Sequence, residues 1–437
     1  MIFGKKHTDQ LAEELEQTSG DQRYWALVKQ RFRKNRPAVW ALRTLYVLGF
    51  IAIFGDFIAN ERPIYCKVEG TTYFPVFREF LVDLDLAKPY PRFLTRSWLD
   101  VKKEYEAVLL PLIPYSFDTQ DPDNRNYKGP LEEQEVSSWR YRHWLGTDNL
   151  GRDVAAGLVN GTRTAMLVGI IAMGIAALIG ISLGAIAGYF GDDRLRWSRA
   201  RVMLNVLGVV LGIFYGFTVR TYALQESEHL FVDLLISLGI FGAILVLFNG
   251  LAWLLERWSV AGKKLRVPVD LLVMRAIEIK RSIPTLLLLL AILALISRPN
   301  IFYVMAIIGL LGWTSIARFM RAEMLRIRAL DYMEATRALG YSNRRILFRH
   351  AIPNGLTPVL VTIAFGIAGA ILTEASLSFI GIGMPPDQVT WGTMLFAARF
   401  APYAWWLAIF PGFFIFITVL SFNLIGEGLT EAIHARR

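Results

Sequence analysis

Two groups of ionisable residues stand where they could do chemistry. Asp148, Arg152 and Asp153 place two carboxylates and a guanidinium within six residues, shortly before a long apolar stretch. Charged groups at that spacing can pair with each other, cap the following helix, or contact a partner. Glu374 lies near one end of another apolar stretch, where an ionisable group is costly and is therefore a functional candidate. Both groups predict pairing or binding, because no series of acidic or histidine residues crosses an apolar stretch as a proton relay would require.

Most other chemistries lack the residues that they need. One cysteine, Cys66, and five scattered histidines exclude an intramolecular disulfide and a thiolate metal cluster, and we expect no metal site. The sequence has no G-x-x-x-x-G-K-[ST] loop for phosphate, no G-x-S-x-G and no H-E-x-x-H. The chain by itself is therefore predicted to be a non-enzyme with no catalytic residue and no bound cofactor.

Composition indicates the elements that position these groups. Of 437 residues, 54% are hydrophobic and only 19% are charged, which is too apolar for disorder and unusual for a soluble domain. Eight apolar stretches can cross a bilayer, which takes about 20 residues. They cover residues 37–59, 165–190, 202–221, 230–255, 283–297, 301–319, 356–376 and 405–425. We expect the first to be an uncleaved span, because it is longer than a signal-peptide core, and the fifth to begin earlier, near Val269.

The basic residues predict how these spans are oriented. With the N-terminus inside, the loops expected to be cytoplasmic are rich in Arg and Lys, and those expected outside are poor in them. The inside set comprises Arg194, Arg196, Arg199, Arg201, Arg257, Lys263, Lys264, Arg266, the eight arginines from Arg318 to Arg349, Arg436 and Arg437. The outside loops carry Glu226, Glu228 and Arg298. The net charge of +10 is thereby attributed to topology rather than to nucleic-acid binding.

Small residues predict close helix packing. Gly180, Gly184 and Gly188 recur every four residues in the second span, and Gly208, Gly212 and Gly216 do so in the third. Glycines at this spacing lie on one helix face and let another backbone approach. The pattern indicates a packed bundle and no particular function.

The most informative segment is the basic loop between the sixth and seventh spans. Residues 331–338 are good helix formers, and Gly340 suits the left-handed position that ends a helix. Ser342 or Asn343 can cap a second short helix, which Pro353 is expected to end before the membrane. A short helix held between two spans could act as a lever if a partner moved it. The alternative is a solvated basic loop that touches lipid headgroups.

This loop resembles the coupling loop of ABC importer permeases. The resemblance rests on Glu334-Ala335-Thr336, Gly340 and His350-Ala351-Ile352-Pro353, with Thr336 where many members have alanine. It implies a coupling segment over residues 324–354 that docks in a cytoplasmic ATPase, with Glu334, Ala335 and Gly340 forming the docking face. The site residues that it implies are Glu334, Ala335, Thr336, Gly340, Arg344, His350 and Pro353.

Two further motifs narrow the resemblance to the C-type permeases of dipeptide and oligopeptide importers. One is the extracytoplasmic motif, with Gly146, Thr147, Asp148, Gly151, Arg152 and Asp153; the other is the outer segment, with Glu374, Ser376 and Gly381. Residues 423–429 match the family's C-terminal end. Residues 59–63 and 73–75 resemble the Yej-type importers of peptides and microcin C. We expect structural capping and partner contact as alternative roles of the Asp148–Asp153 cluster. For Glu374 the alternatives are an interfacial carboxylate that caps or pairs locally and a functional group that pairs with Arg152 or Arg163.

The resemblance implies an all-α polytopic membrane protein with a type I ABC importer transmembrane domain of about eight spanning helices, six in a core and two inserted. The expected parts are a cytoplasmic segment 1–36, a first span 37–59, an extended extracytoplasmic domain 60–162, a second span 163–194, an inserted helix pair 195–268 and a core permease domain 269–437. Both termini are expected in the cytoplasm of a bacterium, with the chain in its inner membrane.

The implied partners are a B-type permease subunit, two ATPase domains that bind ATP and Mg²⁺, an extracytoplasmic peptide-binding protein and membrane lipid, with no nucleic acid. Three alternatives stay open from the sequence. The chain could import nickel complexes, it could be a secondary transporter or channel that needs no ATPase, or it could be an interaction scaffold.

Overall fold

The computed structural model describes residues 26–83, 86–88, 90, 105–225, 230–256, 264–296, 300–382 and 388–434. Within these ranges the protein is mainly helical, and seven helices are long and apolar enough to cross a membrane. They are Arg36–Ile58, Val154–Phe190, Arg199–Thr218, Val232–Leu255, Ile301–Ile327, Asn343–Ile380 and Trp406–Ile433. The predicted class, a polytopic helical membrane protein, is confirmed. Glu226, Glu228, Arg257, Lys263, Arg298, Arg436 and Arg437, used above for the orientation, lie outside the described residues.

The helices are numbered in chain order. They are α1 (Arg36–Ile58), α2 (Pro75–Asp83), α3 (Val154–Phe190), α4 (Arg199–Ile213), α5 (Thr221–Gln225), α6 (Leu230–Leu255), α7 (Val269–Ser282), α8 (Thr285–Ala294), α9 (Ile301–Ile327), α10 (Asp331–Ala338), α11 (Asn343–Arg345), α12 (Ile352–Ile380), α13 (Trp391–Ala398) and α14 (Trp406–His434). Wider π-helical turns cover Phe214–Thr218 and Ile346–Ala351. The chain divides into two compact units. The first unit comprises Met1–Ile175, Asn300–Gly309 and Leu360–Arg437, and the second comprises Ala176–Pro299 and Leu310–Val359.

Short strands, which the sequence did not predict, order the long segment between α1 and α3. Strands β1 (Tyr65–Val68), β2 (Thr71–Tyr73) and β3 (Ala107–Leu109) form an antiparallel sheet in the order β2-β1-β3. Cys66 lies in β1 and is fully buried, and this burial raises the pKa of its thiol to about 11. The cysteine is therefore a packing residue of this small sheet.

Helix α3 begins earlier than predicted. It starts at Val154, whereas the apolar pattern indicated a span from residue 165, and its 37 residues extend about 55 Å. The polar residues of its first turns have partners: Asn160 donates to the carbonyl of Val389 at 2.8 Å, and Arg163 pairs with Asp56 of α1 at 2.7 Å. Because these partners satisfy the polar groups, the helix needs no apolar sequence there.

The glycines of α3 pack directly on the backbone of α9, as predicted. A Cβ atom at Gly184 would lie 2.4 Å from the carbonyl oxygen of Ala317, and one at Gly188 would lie 2.5 Å from that of Arg321. The apolar core here contains Ala187, Val273, Ile277 and Ala317. In the inserted pair, a Cβ atom at Gly212 of α4 would lie 2.8 Å from the ring of Phe241 in α6.

A two-stranded ribbon joins the beginning and the end of the inserted segment. Strand β4 (Arg196–Ser198) pairs with β5 (Lys264–Arg266) in antiparallel register. An ion pair between Arg201 and Glu256, at 3.1 Å, joins the same ends of α4 and α6. Entry and exit of the inserted pair therefore lie side by side, which is how an insertion can leave its host fold intact.

The fifth predicted span is a broken helix. Its start near Val269 agrees with the prediction, but α7 ends at Ser282 and α8 runs only from Thr285 to Ala294. Pro284 stands at the break as the N-cap of α8. Proline cannot donate the helical hydrogen bond and disfavours helical backbone in the residue before it, here Ile283, which is extended. Ten residues extend about 15 Å, so α8 by itself is too short to cross a bilayer.

Candidate functional site

The coupling segment is a helix ended by glycine, as predicted. Helix α10 covers Asp331–Ala338, and Gly340 has a positive φ of 76°. The backbone N–H groups of Gly340 and Tyr341 donate to the carbonyls of Arg337 and Thr336 at 2.9 and 3.2 Å. These bonds satisfy carbonyls that a helix end leaves open, and the left-handed turn redirects the chain.

One face of the coupling segment is anchored and another is exposed. Met333 is fully buried, and Thr336 donates its hydroxyl hydrogen to the carbonyl of Met333 at 2.9 Å. Glu334, Ala335 and Gly340 are exposed. The structure therefore places the three predicted docking residues on the outer side of α10, away from its anchor.

Two large apolar side chains of the coupling segment are exposed, and sequence reasoning missed both. Leu339 is 70% exposed and Phe348 is 69% exposed. Leu339 lies outside the spanning helices, where lipid would not be expected to cover it, so its exposure favours a protein partner. No local pattern in the sequence distinguished Leu339 or Phe348 from the other apolar residues.

The turn after Gly340 is braced by stacked rings. Ser342 caps α11 by accepting from the N–H of Arg345 at 3.4 Å. The guanidinium of Arg345 lies 4.2 Å from the ring centre of Tyr341, and the ring of His350 stacks on that tyrosine at 6.0 Å. Predicted site residue His350 is thus a packing residue of the segment, whereas Arg344 is exposed.

Pro353 does not end a helix, and this prediction was wrong. Residues Asn343–Ile380 form one helical run, in which Ile346–Ala351 is a π-helical turn and Pro353 follows directly after it. A proline ring obstructs the carbonyl four residues earlier in an α-helix. The i to i+5 pattern of the π turn displaces the hydrogen bonds at that position, so the helix continues past the proline. The coupling segment is therefore continuous with a spanning helix.

The extracytoplasmic motif forms two tight, closely packed turns directly before α3. Gly146 and Gly151 have positive φ values of 84° and 79°. A Cβ atom would lie 2.8 Å from the carbonyl oxygen of Lys128 at the first and 2.1 Å from that of Asp121 at the second. Thr147 is fully buried, and its carbonyl accepts from the indole N–H of Trp406 at 3.0 Å. Only glycine fits both turns, which explains their place in the motif.

The charged residues of this motif pair with each other and cap the helix. Arg152 donates to a carboxylate oxygen of Asp148 at 2.7 Å, and Asp153 accepts from the N–H of Ala156, in the first turn of α3, at 2.7 Å. Asp148 and Asp153 are buried. The exposed residues of the motif are Asn149 and Leu150. Any partner contact would therefore involve those two side chains, which the sequence did not single out.

A buried histidine, also missed, ties the motif to the chain before it. His143 is fully buried between Asp153, 2.8 Å from its Nδ1, and Asp121, 3.2 Å from its Nε2, and it stacks on the ring of Tyr115 at 4.3 Å. Although burial lowers it, the hydrogen bonds and charges of the two carboxylates raise the pKa of His143 above its ordinary value. Likewise, hydrogen bonds from Asn124 and His143 outweigh burial and lower the pKa of Asp121.

This cluster predicts a pH-dependent stability. The folded protein holds the His143 proton more tightly than the unfolded chain does, because the pKa of His143 is raised on folding. The resulting stabilisation is complete below about pH 6.5, the pKa of an unperturbed histidine, and is lost as pH rises through the pKa of His143 in the folded protein. The contribution of Asp121 to stability is lost only in acid, as pH falls through the lowered pKa of this residue in the folded protein. We expect the Tm of the purified protein to fall as pH rises above about 6.5, and His143→Gln to flatten that slope.

The matched control is Tyr115→Phe. It removes the hydroxyl hydrogen bond to the carbonyl of Tyr141, 2.7 Å, but keeps the ring stacked on His143. Its Tm should be lower at every pH with the slope unchanged. Equal slopes in wild type and His143→Gln would contradict the charged cluster.

Glu374 has neither of its predicted partners. Arg152 is bound by Asp148 and Arg163 by Asp56, so the expected pairing with Glu374 was wrong. Glu374 is 2% exposed and accepts from the hydroxyl of Ser378, one turn along α12, at 2.8 Å. The hydroxyl of Thr390 also bonds to it. The hydroxyl groups of Ser378 and Thr390 thus satisfy the Glu374 side chain in place of the predicted arginine.

The other residues of the predicted outer segment have structural positions. The hydroxyl of Ser376 donates to the carbonyl of Leu372 at 2.7 Å. Gly381, with a φ of 86°, follows the last residue of α12, and a Cβ atom there would lie 2.8 Å from the ring of Phe396. The glycine therefore ends α12 and brings α13 close to it.

An open cavity of about 510 Å³ lies beside these two motifs in the first unit. Its polar lining includes Asp148, Asn149 and Arg152, and its aromatic lining consists of Phe117, Tyr127, Phe396 and Phe400. Asp148 and Arg152 of the lining form an ion pair, and the third charged lining residue, Asp153, pairs with His143. The cavity therefore carries no unpaired charge among these residues and suits an uncharged group. The extracytoplasmic motif and the outer segment thus share one cavity.

Comparison with protein families matches both ends of the chain. Residues 258–437 match the family described as the inner membrane component of binding-protein-dependent transport systems. Residues 23–73 match the N-terminal transmembrane domain of oligopeptide transport permease C. The two matches leave residues 74–257 uncovered, and these contain much of the long segment after α1 and most of the inserted pair.

Curated relatives align over most of the chain. The peptidoglycan transport system permease protein YejE of Agrobacterium fabrum is 27% identical over 93% of this chain and 92% of its own length. The inner membrane ABC transporter permease protein YejE of Escherichia coli is 27% identical over 94% and 96%. The dipeptide transport system permease protein DppC of Alkalihalophilus pseudofirmus is 29% identical over 75% and 80%.

Proposed function

We propose that the chain is the C-type subunit of a peptide importer in the bacterial cytoplasmic membrane, because residues 258–437 match the inner membrane component of binding-protein-dependent transport systems and residues 23–73 match the N-terminal domain of oligopeptide transport permease C. Peptides are proposed as the substrate because the relatives are described as permeases for dipeptides, peptides, glutathione and peptidoglycan. Permeases of this family work with ATPase and binding-protein partners. The chain itself supplies part of the path and the docking surface for them.

The observation that carries this proposal is the outer side of the coupling segment. Glu334, Ala335, Gly340 and Leu339 are exposed on a short helix that Met333 anchors beneath. An exposed acid beside an exposed leucine suits a protein cleft better than water or lipid. One ATPase domain would bind here, a second would bind a B-type permease, and ATP and Mg²⁺ would be bound by those ATPases.

Coupling would follow from the continuity of the helix. The run Asn343–Ile380 contains 38 residues, about 57 Å, so a displacement at its start is carried along a rigid element. Closure of the ATPases would move α10 and tilt this helix, which would alternate the path between inward and outward openings. In this arrangement both termini are cytoplasmic, and the binding protein delivers peptide to the opposite face.

We predict that Leu339→Glu separates the permease from its ATPase. The full chain would be co-expressed with the partner permease, the ATPases and the binding protein of its own operon, and purified in detergent. A charge in place of a leucine that is 70% exposed should lower the retained ATPase at least tenfold, which corresponds to about 1.4 kcal/mol. Uptake of a labelled peptide panel by proteoliposomes should fall in parallel.

The control is Leu131→Glu, which changes a leucine that is 91% exposed in the segment between α1 and α3. It should retain the ATPase. If wild type transports peptide as a homo-oligomer without a nucleotide-binding partner, the proposed function is wrong. If both variants keep the ATPase, the docking surface lies elsewhere.

A further inference from the structure

Three arginines of the second unit gather where two spanning helices end. Arg194 follows the last residue of α3, Phe190, by four positions, Arg328 directly follows α9, and Arg337 belongs to α10. The guanidinium of Arg328 donates to the carbonyl of Gly188 in the last turn of α3 at 3.2 Å. The cluster therefore stands at the ends of α3 and α9, at the level where a bilayer presents its phosphate groups.

No carboxylate in the described part of the chain forms an ion pair with the arginines of this cluster. Burial, and then the positive charges of Arg337 and Arg328, lower the pKa of Arg194, so Arg194 lies close enough to each of them to be repelled. Other arginines of the same unit are neutralised: Arg201 pairs with Glu256, Arg266 with Asp193 and Arg321 with Asp270. Among the described residues, none of the three cluster arginines has such an ion pair.

One nitrogen of the cluster is buried without an acceptor. Nη2 of Arg337 is shielded from solvent and has no hydrogen-bond partner among the described residues. A buried charged donor left unsatisfied costs free energy. This atom is covered by the chain itself, whereas Glu334, one turn earlier on α10, is exposed.

We propose that Arg194, Arg328 and Arg337 bind the phosphate of an anionic phospholipid headgroup. A phosphate offers several oxygens to forked guanidinium donors and neutralises adjoining positive charges. A lipid is favoured over a docked protein because the cluster lies at the ends of two spans. Since Arg337 belongs to α10, the bound lipid would fasten the coupling helix to the membrane. This proposal does not rest on ATPase docking.

The test measures lipid binding by the full chain in nanodiscs. Wild type should show a higher Tm in phosphatidylcholine containing phosphatidylglycerol than in phosphatidylcholine alone. Native mass spectrometry should find retained phosphatidylglycerol. The double variant Arg194→Gln/Arg337→Gln should lose the Tm increase and bind phosphatidylglycerol at least tenfold more weakly. The control, Arg266→Gln/Arg275→Gln, removes the same charge from exposed arginines that have carboxylate partners and should behave like wild type.

Three results would overturn the proposal. Equal phosphatidylglycerol binding in the double variant and the control would mean that the cluster is not the site. An equal Tm increase with inorganic phosphate in phosphatidylcholine discs would assign the site to a free anion. No lipid effect on wild type, together with weaker ATPase binding by the double variant, would assign the cluster to the protein interface.

Discussion

Replacing Gly340 by proline is expected to abolish ATP-driven transport by the assembled importer while leaving membrane insertion intact. The glycine has a φ of 76°, which proline cannot adopt because its ring holds φ near about −65°. Proline would also remove the N–H that donates to the carbonyl of Arg337 at 2.9 Å. The turn would open, and Tyr341 would lose its place between Arg345 and His350. The docking side of α10 would then no longer have a fixed orientation.

A series of substitutions at Gly340 separates the cost of the backbone conformation from the cost of steric crowding. A Cβ atom at Gly340 would have no neighbour within 4 Å, so a side chain meets only the cost of the left-handed backbone. Alanine should cost about 1–2 kcal/mol and asparagine less, because asparagine tolerates this conformation better. Peptide uptake in proteoliposomes should therefore rank wild type, Asn, Ala and Pro in decreasing order.

ATPase co-purification should follow the same order, and membrane abundance should be equal for all four proteins. Full transport by Gly340→Pro would show that the turn is not needed for coupling. Loss of Gly340→Pro from the membrane would instead identify a folding defect, which Gly340→Ala, with its milder cost, would then resolve.

Replacing Gly184 by leucine is expected to prevent stable folding of the second unit. A Cβ atom at this position would lie 2.4 Å from the carbonyl oxygen of Ala317 and 2.9 Å from Cβ of Met320. The first contact is with backbone, which cannot move aside without separating α3 from α9. Overpacking of this kind costs about 3 kcal/mol or more, a large part of the stability of a domain. Alanine at Gly184 should already lower the Tm.

Gly174, ten residues earlier on the same helix, is the matched control. A Cβ atom there would have no neighbour within 4 Å. Leucine favours helix over glycine by about 0.8 kcal/mol, so Gly174→Leu should be neutral or slightly stabilising. Size-exclusion profiles and thermal unfolding of the purified chains would measure both effects. Equal Tm values for the two leucine variants would contradict the packing of α3 on α9.

In the coupling segment, local sequence patterns predicted some features and could not predict others. Gly340 could be read as a helix stop because a left-handed residue is a local requirement that one residue type meets best. Pro353 was misread because its effect depends on the π turn at Ile346–Ala351, and no local rule predicts that turn. The exposure of Leu339 and Phe348 depends on which face of the segment is anchored, so it needed the fold.

For the extracytoplasmic motif, the sequence identified the residues but did not reveal their roles. Its glycines and acids were singled out by spacing, but their roles depend on residues far away in the chain. Asp121 lies 22 residues before His143, and Trp406 lies 259 residues after Thr147. Glu374 was assigned an arginine partner because a charge in an apolar stretch suggests one, yet two hydroxyl groups satisfy it.

The sequence by itself determined that this is a multi-span membrane protein with a basic loop whose helix ends at a glycine, because span length, basic loops and glycine turns are local properties of the chain. Tertiary structure decided which of the candidate residues are presented to partners and which are buried supports. Asp148 and Asp153 turned inward to hold a helix, and Asn149, Leu150 and Leu339 remained outward. The physical reason is that burial and pairing depend on segments brought together only by folding, over distances along the chain that no local pattern spans.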